Sequence, residues 1–167
     1  SVSAREEFGS WEGDLIPFRK EFGPANVTSL VERISRFTVL VKNADRKSRP
    51  VMEGIISGLS PLPFHARRSI TFDRGFEFTA WPHLQAGLGV AVWFCDPRAP
   101  WQKGTNENTN GRARRFLPRD TDPAELTNRS LAAICQRLNA TPRKCLGYRT
   151  PAEVFRENVL AKANFVP

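Results

Sequence analysis

Two runs rich in β-branched and aromatic residues, NVTSLVERI (26–34) and RFTVLVK (36–42), are joined by only a residue or two. A crossover to a parallel partner needs a dozen or more residues, so these runs pair as antiparallel neighbours. The stretch before them, WEGDLIPF (11–18), sets apolar Trp11 and Leu15 against Glu12, Asp14 and Ile16. Its pleat puts Glu12 and Asp14 on one face. The expectation is a three-stranded meander whose first strand carries two acids on the same side.

Helical spacing takes over in SRPVMEGIISGL (48–59), where Val51, Ile55 and Leu59 recur behind Ser48 as a cap and Pro50 near the first turn. RRSITFDRG (67–75) reads as a strand, AWPHLQAGLG (80–89) as a short helix ending on glycine, and VAVWFCD (90–96) as another strand. A helix from about Lys103 to Leu117 follows, then the turn-rich PRDTDP (118–123). LTNRSLAAICQRLNAT (126–141), capped near Thr127, and TPAEVFRENVL (150–160) close the chain as helices. The order βββαβαβ followed by helices predicts an α/β fold, one mixed sheet flanked by helices, with parallel strands joined by crossover helices. At 167 residues and 40% apolar content, a single domain with a real core is expected.

Lys and Arg outnumber Asp and Glu by 25 to 17, a formal charge of +8, which suits a protein that meets a polyanion. No apolar run reaches the roughly 18 residues of a membrane span, and no secretory leader opens the chain, so a cytoplasmic protein is expected. Cys95, Cys135 and Cys145 form no C-x-x-C pair, and only His65 and His83 could join them as soft ligands. They read as reduced, buried thiols rather than a zinc site.

The segment PWQKGTNENTNGR (100–112) breaks the rules that the rest obeys. Between 103 and 117 the only apolar side chains are Ala113, Phe116 and Leu117, and Gly104, Thr105, Asn106, Asn108, Thr109, Asn110 and Gly111 are weak helix formers. Failures of this kind concentrate at functional sites. As a helix, the segment would set Glu107, Asn110 and Arg114 on one face: a metal ligand, an amide and a cation for a phosphate. Asp14 in mid-strand, Asp73 at a strand end and Glu107 can then converge at one edge of the sheet. Three clustered carboxylates repel, by about 4 kcal/mol per pair at ~4 Å and an effective dielectric of 20, so the cluster calls for a cation. Oxygen ligands without His or Cys point to Mg²⁺ or Mn²⁺, and two such ions would serve in-line displacement at phosphorus.

Five blocks, WEGDLI, SLVERISRF, TFDRGFEF, DPRAPWQKGTNENTNG and PRKCLGYRTPAEVF, occur in order from Trp11 to Phe155. Together they resemble the catalytic domain of bacterial transposases of the insertion-sequence thirty family. The resemblance implies a ribonuclease-H-like fold of the retroviral integrase type. It also implies an Asp-Asp-Glu (DDE) triad of Asp14, Asp73 and Glu107, with 33 residues between the last two, the spacing of that family. The activity implied is divalent-metal-dependent cleavage of DNA at transposon ends and strand transfer into target DNA. Arg74, Arg112 with Ala113, and Ser10 depart from the family's usual residues without touching a triad acid. The family's N-terminal helix-turn-helix, which recognises element ends, has no counterpart before Arg5, so residues 1–167 are expected to be an isolated catalytic core.

Around this triad, Glu12 and Glu77 are candidates to bind metal or to hold a water about the ions, and Asn106 to hold such a water, with Glu12 alternatively pairing with a nearby arginine. Lys103, Asn110, Arg112, Arg114, Arg115, Arg143 and Lys144 are candidate DNA contacts, and Arg67, Arg68, Arg119 and Arg149 extend the basic track. The expected partners are transposon-end and target DNA, at the bacterial nucleoid, and a second copy of the chain, because transposases of this kind work as dimers or higher oligomers. Two alternatives stand beside this reading: a nuclease of the same fold that only hydrolyses, and a noncatalytic DNA-binding or assembly module.

Overall fold

The computed structural model of the chain describes residues 7–72, 79–95 and 112–163. The predicted meander forms as β1 (Ser10–Pro17), β2 (Asn26–Glu32) and β3 (Thr38–Asn43). The chain then adds α1 (Ser48–Leu59), β4 (Ser69–Phe72), α2 (Trp81–Leu88) and β5 (Ala91–Phe94). Helices α3 (Asn128–Asn139) and α4 (Pro151–Ala163) end the described chain. The sheet order is β3-β2-β1-β4-β5. β1, β2 and β3 pair antiparallel, while β4 runs parallel to both β1 and β5. β1 is therefore the central strand, with a partner on each side.

Alternation along β1 gives the two faces different partners. Trp11 joins Leu30, Ile70 and Phe72 in a core with Val51, Met52, Ile55 and Leu59 of α1, Leu84 and Leu88 of α2, and Phe155 of α4. Ile16 faces the other way, into a second cluster with Val27, Leu40, Ala113, Leu117, Leu126, Leu131 and Leu138. A sheet buried on both sides needs apolar residues of both parities, and β1 and β2 supply them.

Capping differs from expectation at one helix and matches it at another. Lys47, not Ser48, holds the N-cap position of α1, without a side-chain cap. The Ser48 hydroxyl instead accepts a hydrogen bond from Ala80 N at 2.6 Å, tying the start of α1 to the start of α2. Thr127 and Ser130 form a capping box on α3, with Ser130 N donating to Thr127 Oγ1 at 3.0 Å and Thr127 N to Ser130 Oγ at 2.8 Å. Gly89, at φ 68°, ends α2 in the left-handed conformation that a side chain would disfavour.

The helix expected over 103–117 lies largely outside the described residues. Its described end is helical at 112–113 and continues as turns over 114–116 and a bend at Leu117. Two of its three apolar side chains, Ala113 and Leu117, are completely buried, so a sparse set anchors this stretch by itself. The cysteine expectation needs correction: Cys95 is buried and Cys135 half-buried, but Cys145 is exposed. Cys145 sits in a single 3-10 turn, Lys144–Leu146, that buries none of its residues. No helix among the described residues is long and apolar enough to cross a membrane.

Candidate active site

Asp14 lies opposite Ser29 of β2, which in turn lies opposite Leu40 of β3. All three share the face of Ile16, the face to which the chain returns at Ala113 and Leu117. Asp14 is half-buried, and its Oδ1 accepts a hydrogen bond from Leu15 N at 2.9 Å. A carboxylate so placed keeps access to solvent while its backbone is fixed by pairing with β2.

The β4 side of the site is set by the pairing of Ser10, Trp11 and Glu12 with Ser69, Ile70 and Thr71. Phe72, the last residue of β4, turns its ring onto Gly13. A Cβ on Gly13 would meet Phe72 Cε1 at 2.4 Å and Cδ1 at 2.7 Å, so β1 needs a glycine beside Asp14. The only hint of this in the sequence is a glycine inside a strand pattern, which marks close approach by another group. Asp73 and Glu107, with Glu77, Asn106, Lys103 and Asn110, lie outside the described residues. Among the described residues no group of three or more His, Cys, Asp or Glu side chains gathers. Asp14 offers a hard oxygen donor of the kind that Mg²⁺ or Mn²⁺ takes.

Glu12 has a different environment from Asp14, although both are on one face. Its side chain is completely buried, and Arg33 Nη1 forms an ion pair with its Oε1 at 3.1 Å. On the next strand, Glu32 is also buried and accepts from Gly9 N, Ile34 N, Ser35 N and Ser35 Oγ. Burial pushes its carboxyl above the ordinary value, against the pull of those hydrogen bonds.

The candidate DNA cations divide by what they already touch. Arg114 donates to Pro17 O at 2.7 Å and Leu117 O at 3.2 Å, and stands 5.8 Å from the Phe18 ring centre. Its guanidinium clamps the post-112 turn to the end of β1. Arg67 is similarly engaged, with Leu62 O and Leu88 O as acceptors. Arg149 pairs with Glu153 and Glu157. Lys144 and Arg115 are exposed, whereas Arg143 is buried.

No protein-family model matches the chain. The transposase InsI for insertion sequence element IS30A of Escherichia coli (strain K12) is 38% identical over 159 residues, 95% of this chain and 41% of that protein. The transposase for insertion sequence element IS1086 of Cupriavidus metallidurans is 41% identical over 149 residues, 89% of this chain and 43% of that protein. The chain is homologous to the transposases of the insertion-sequence thirty family. The resemblance carried by the five sequence blocks is thereby borne out, and the chain spans about two-fifths of the length of these relatives. Among solved structures, the catalytic core domain of BIV integrase superposes with a TM-score of 0.72 at 20% identity, covering 92% of this chain and 97% of that one. A chain of the simian T-cell lymphotropic virus intasome in complex with PP2A regulatory subunit B56 gamma gives 0.70 at 17% identity, covering 90% of this chain and 54% of that one. The fold is ribonuclease-H-like, of the retroviral integrase type.

Proposed function

We propose that this chain is the catalytic core of a DDE transposase that cleaves DNA at transposon ends and joins the freed 3′-hydroxyl to target DNA. The observation that carries the proposal is the position of Asp14. It sits on the central strand, beside the parallel strand β4 whose last residue, Phe72, precedes Asp73 in sequence, and on the face where Ala113 and Leu117, downstream of Glu107 in sequence, are packed. Strand ends of α/β sheets are where such sites assemble.

In this reading Asp14, Asp73 and Glu107 hold Mg²⁺ or Mn²⁺, two ions in the active complex. Such ions supply Lewis-acid stabilisation of phosphoryl oxygens and an acidified water. The protein fixes the three carboxylates and aligns the nucleophile, and its basic residues hold the DNA backbone. Cleavage and joining are one in-line displacement with two nucleophiles, water and then a 3′-hydroxyl, so one site serves both. The working form contains transposon-end and target DNA and more than one copy of the chain.

Incubation with pre-cut element ends, plasmid target and Mn²⁺ tests the proposal. Joined products that vanish in Asp14→Asn, Asp73→Asn and Glu107→Gln, with DNA binding retained, are the expected result. Nicking without joining would assign a hydrolytic nuclease instead. Binding without either product would assign a noncatalytic module.

A further inference from the structure

Beside the turn that follows Arg112, a small cavity of about 80 Å³ opens between Arg112, Arg115, Phe116, Leu138, Thr141 and Arg143. Among the described residues the lining includes three arginines and no acid. Arg143 is only 4% exposed, and its Nε is buried without a hydrogen-bond partner, as is the Nε of Arg112. Buried donors are nearly always satisfied, and a buried cation costs far more than a neutral group when it is not. Burial, then the repulsion of Arg112, and more weakly that of Arg36, push the Arg143 guanidinium below its ordinary value. Like charges gathered around a cavity with no acid among its described lining residues suit an anion supplied from outside.

The cavity's size and chemistry narrow that anion. At about 80 Å³ the space has room for a group of a few heavy atoms. Guanidinium forks match phosphate oxygens in pairs, and Thr141 adds a hydroxyl, although that hydroxyl donates to Arg137 O at 2.7 Å. The backbone around Arg143 is itself fixed: its N donates to Arg149 O at 3.0 Å, and its O accepts from Leu146 N and Tyr148 N. The side chain is therefore held at the cavity from a rigid turn.

We propose that Arg112, Arg115 and Arg143 form a binding site for a single phosphate group, filled in the working protein by a phosphate of the DNA backbone. The phosphate chemistry stands on the cavity alone, whereas its source in DNA rests on the function proposed above. Arg112 and Arg115 follow Glu107 by five and eight residues in sequence, so a phosphate seated there fixes the DNA register relative to the turn that carries them.

Two measurements on the whole chain test this. Thermal unfolding in millimolar inorganic phosphate, against chloride at equal ionic strength, should raise the Tm of the native chain. The rise should be abolished in Arg143→Gln and in the exposed-site variant Arg115→Gln, which leaves the buried turn intact. Arg143→Gln relieves the crowding of like charges around a buried cation, so it should unfold no lower than the native chain in chloride. A structural arginine would instead lower it. In the second measurement, duplex DNA affinity followed by fluorescence anisotropy across salt should show a flatter log K against log salt slope in Arg112→Gln, by about 0.9, the share of a single neutralised phosphate. Loss of the phosphate response in the variants with an unchanged slope would keep the phosphate site and overturn its assignment to DNA. No phosphate response in the native chain, with an unchanged slope, would overturn the site. Neither readout needs catalysis, so failure of strand joining leaves both interpretable.

Discussion

The ring of Phe72 rests on the Cα of Gly13, at a distance where a methyl group added to the glycine would come within 2.4 Å of the ring. Each of these residues immediately precedes a proposed triad acid in sequence, Asp14 and Asp73. The contact thus sets the spacing of β1 and β4 where the proposed site begins. Gly13→Ala should destabilise the chain by about 1–3 kcal/mol through overpacking. For a chain of this length that lowers Tm by about 2–4 °C per kcal/mol. Phe72→Leu in the same chain, which withdraws the ring, should recover most of the loss. A Gly13→Ala chain that melts with the native one would show that the strands part without cost.

Arg33 and Glu12 give the second prediction. Removing one partner of a buried ion pair leaves an uncompensated charge, at a cost of about 3–5 kcal/mol. Arg33→Met should therefore lower the urea midpoint by more than Glu12→Gln, which removes the charge that needs the partner. Glu12→Gln should also leave the Mn²⁺ concentration for half-maximal strand joining unchanged, because Glu12 is sealed against Arg33 rather than open to solvent. A large shift in that Mn²⁺ requirement would return Glu12 to the metal site.

What the sequence disclosed and what it withheld follow physical range. The meander was legible because the short link after β2 and the β-branched runs are local constraints, and α1 and α3 because apolar spacing and turn chemistry are local too. Asp14 could be placed in mid-strand for the same reason. Arg114 read as a cation for DNA because a sequence shows charge, not the carbonyls of Pro17 and Leu117 that engage it. Ser48 looked like a cap because its competitor, Ala80 N, lies 32 residues away. The burial of Arg143 was equally hidden, since charged residues in a turn are ordinarily solvated.

Glu32 makes stability depend on pH in a predictable direction. Its carboxyl is raised by burial above the ordinary 4.5, so the folded chain holds that proton more tightly than the unfolded chain does. The resulting contribution is fully present below 4.5 and is lost as pH rises through the raised value. Glu32→Gln cannot titrate and turns an amide NH₂ toward the amide donors of Gly9, Ile34 and Ser35, so it should be less stable throughout. Its deficit against the native chain should shrink as pH rises from about 4 to 7, as read by chemical denaturation at each pH. A deficit that grows with pH would mean that the hydrogen bonds to Glu32 outweigh its burial.

Asn139, at the last turn of α3, supplies the final prediction because it completes the edge of the sheet. Thr38 N donates to Asn139 Oδ1 at 2.8 Å, and Asn139 Nδ2 donates to Thr38 O at 2.9 Å, across 101 residues of sequence. The side-chain amide acts as one more strand residue for β3, whose outer edge has no strand beside it among the described residues. An edge left with open donors and acceptors invites pairing with another chain. Asn139→Ala orphans both Thr38 groups and should cost about 1–3 kcal/mol, with faster hydrogen exchange at the Thr38 amide. Asn139→Asp keeps the acceptor but buries a carboxylate against Thr38 O, so its Thr38 amide should stay protected while stability falls at least as far as in Asn139→Ala. Equal exchange at Thr38 in the native and Asn139→Ala chains would mean that β3 holds its edge without α3.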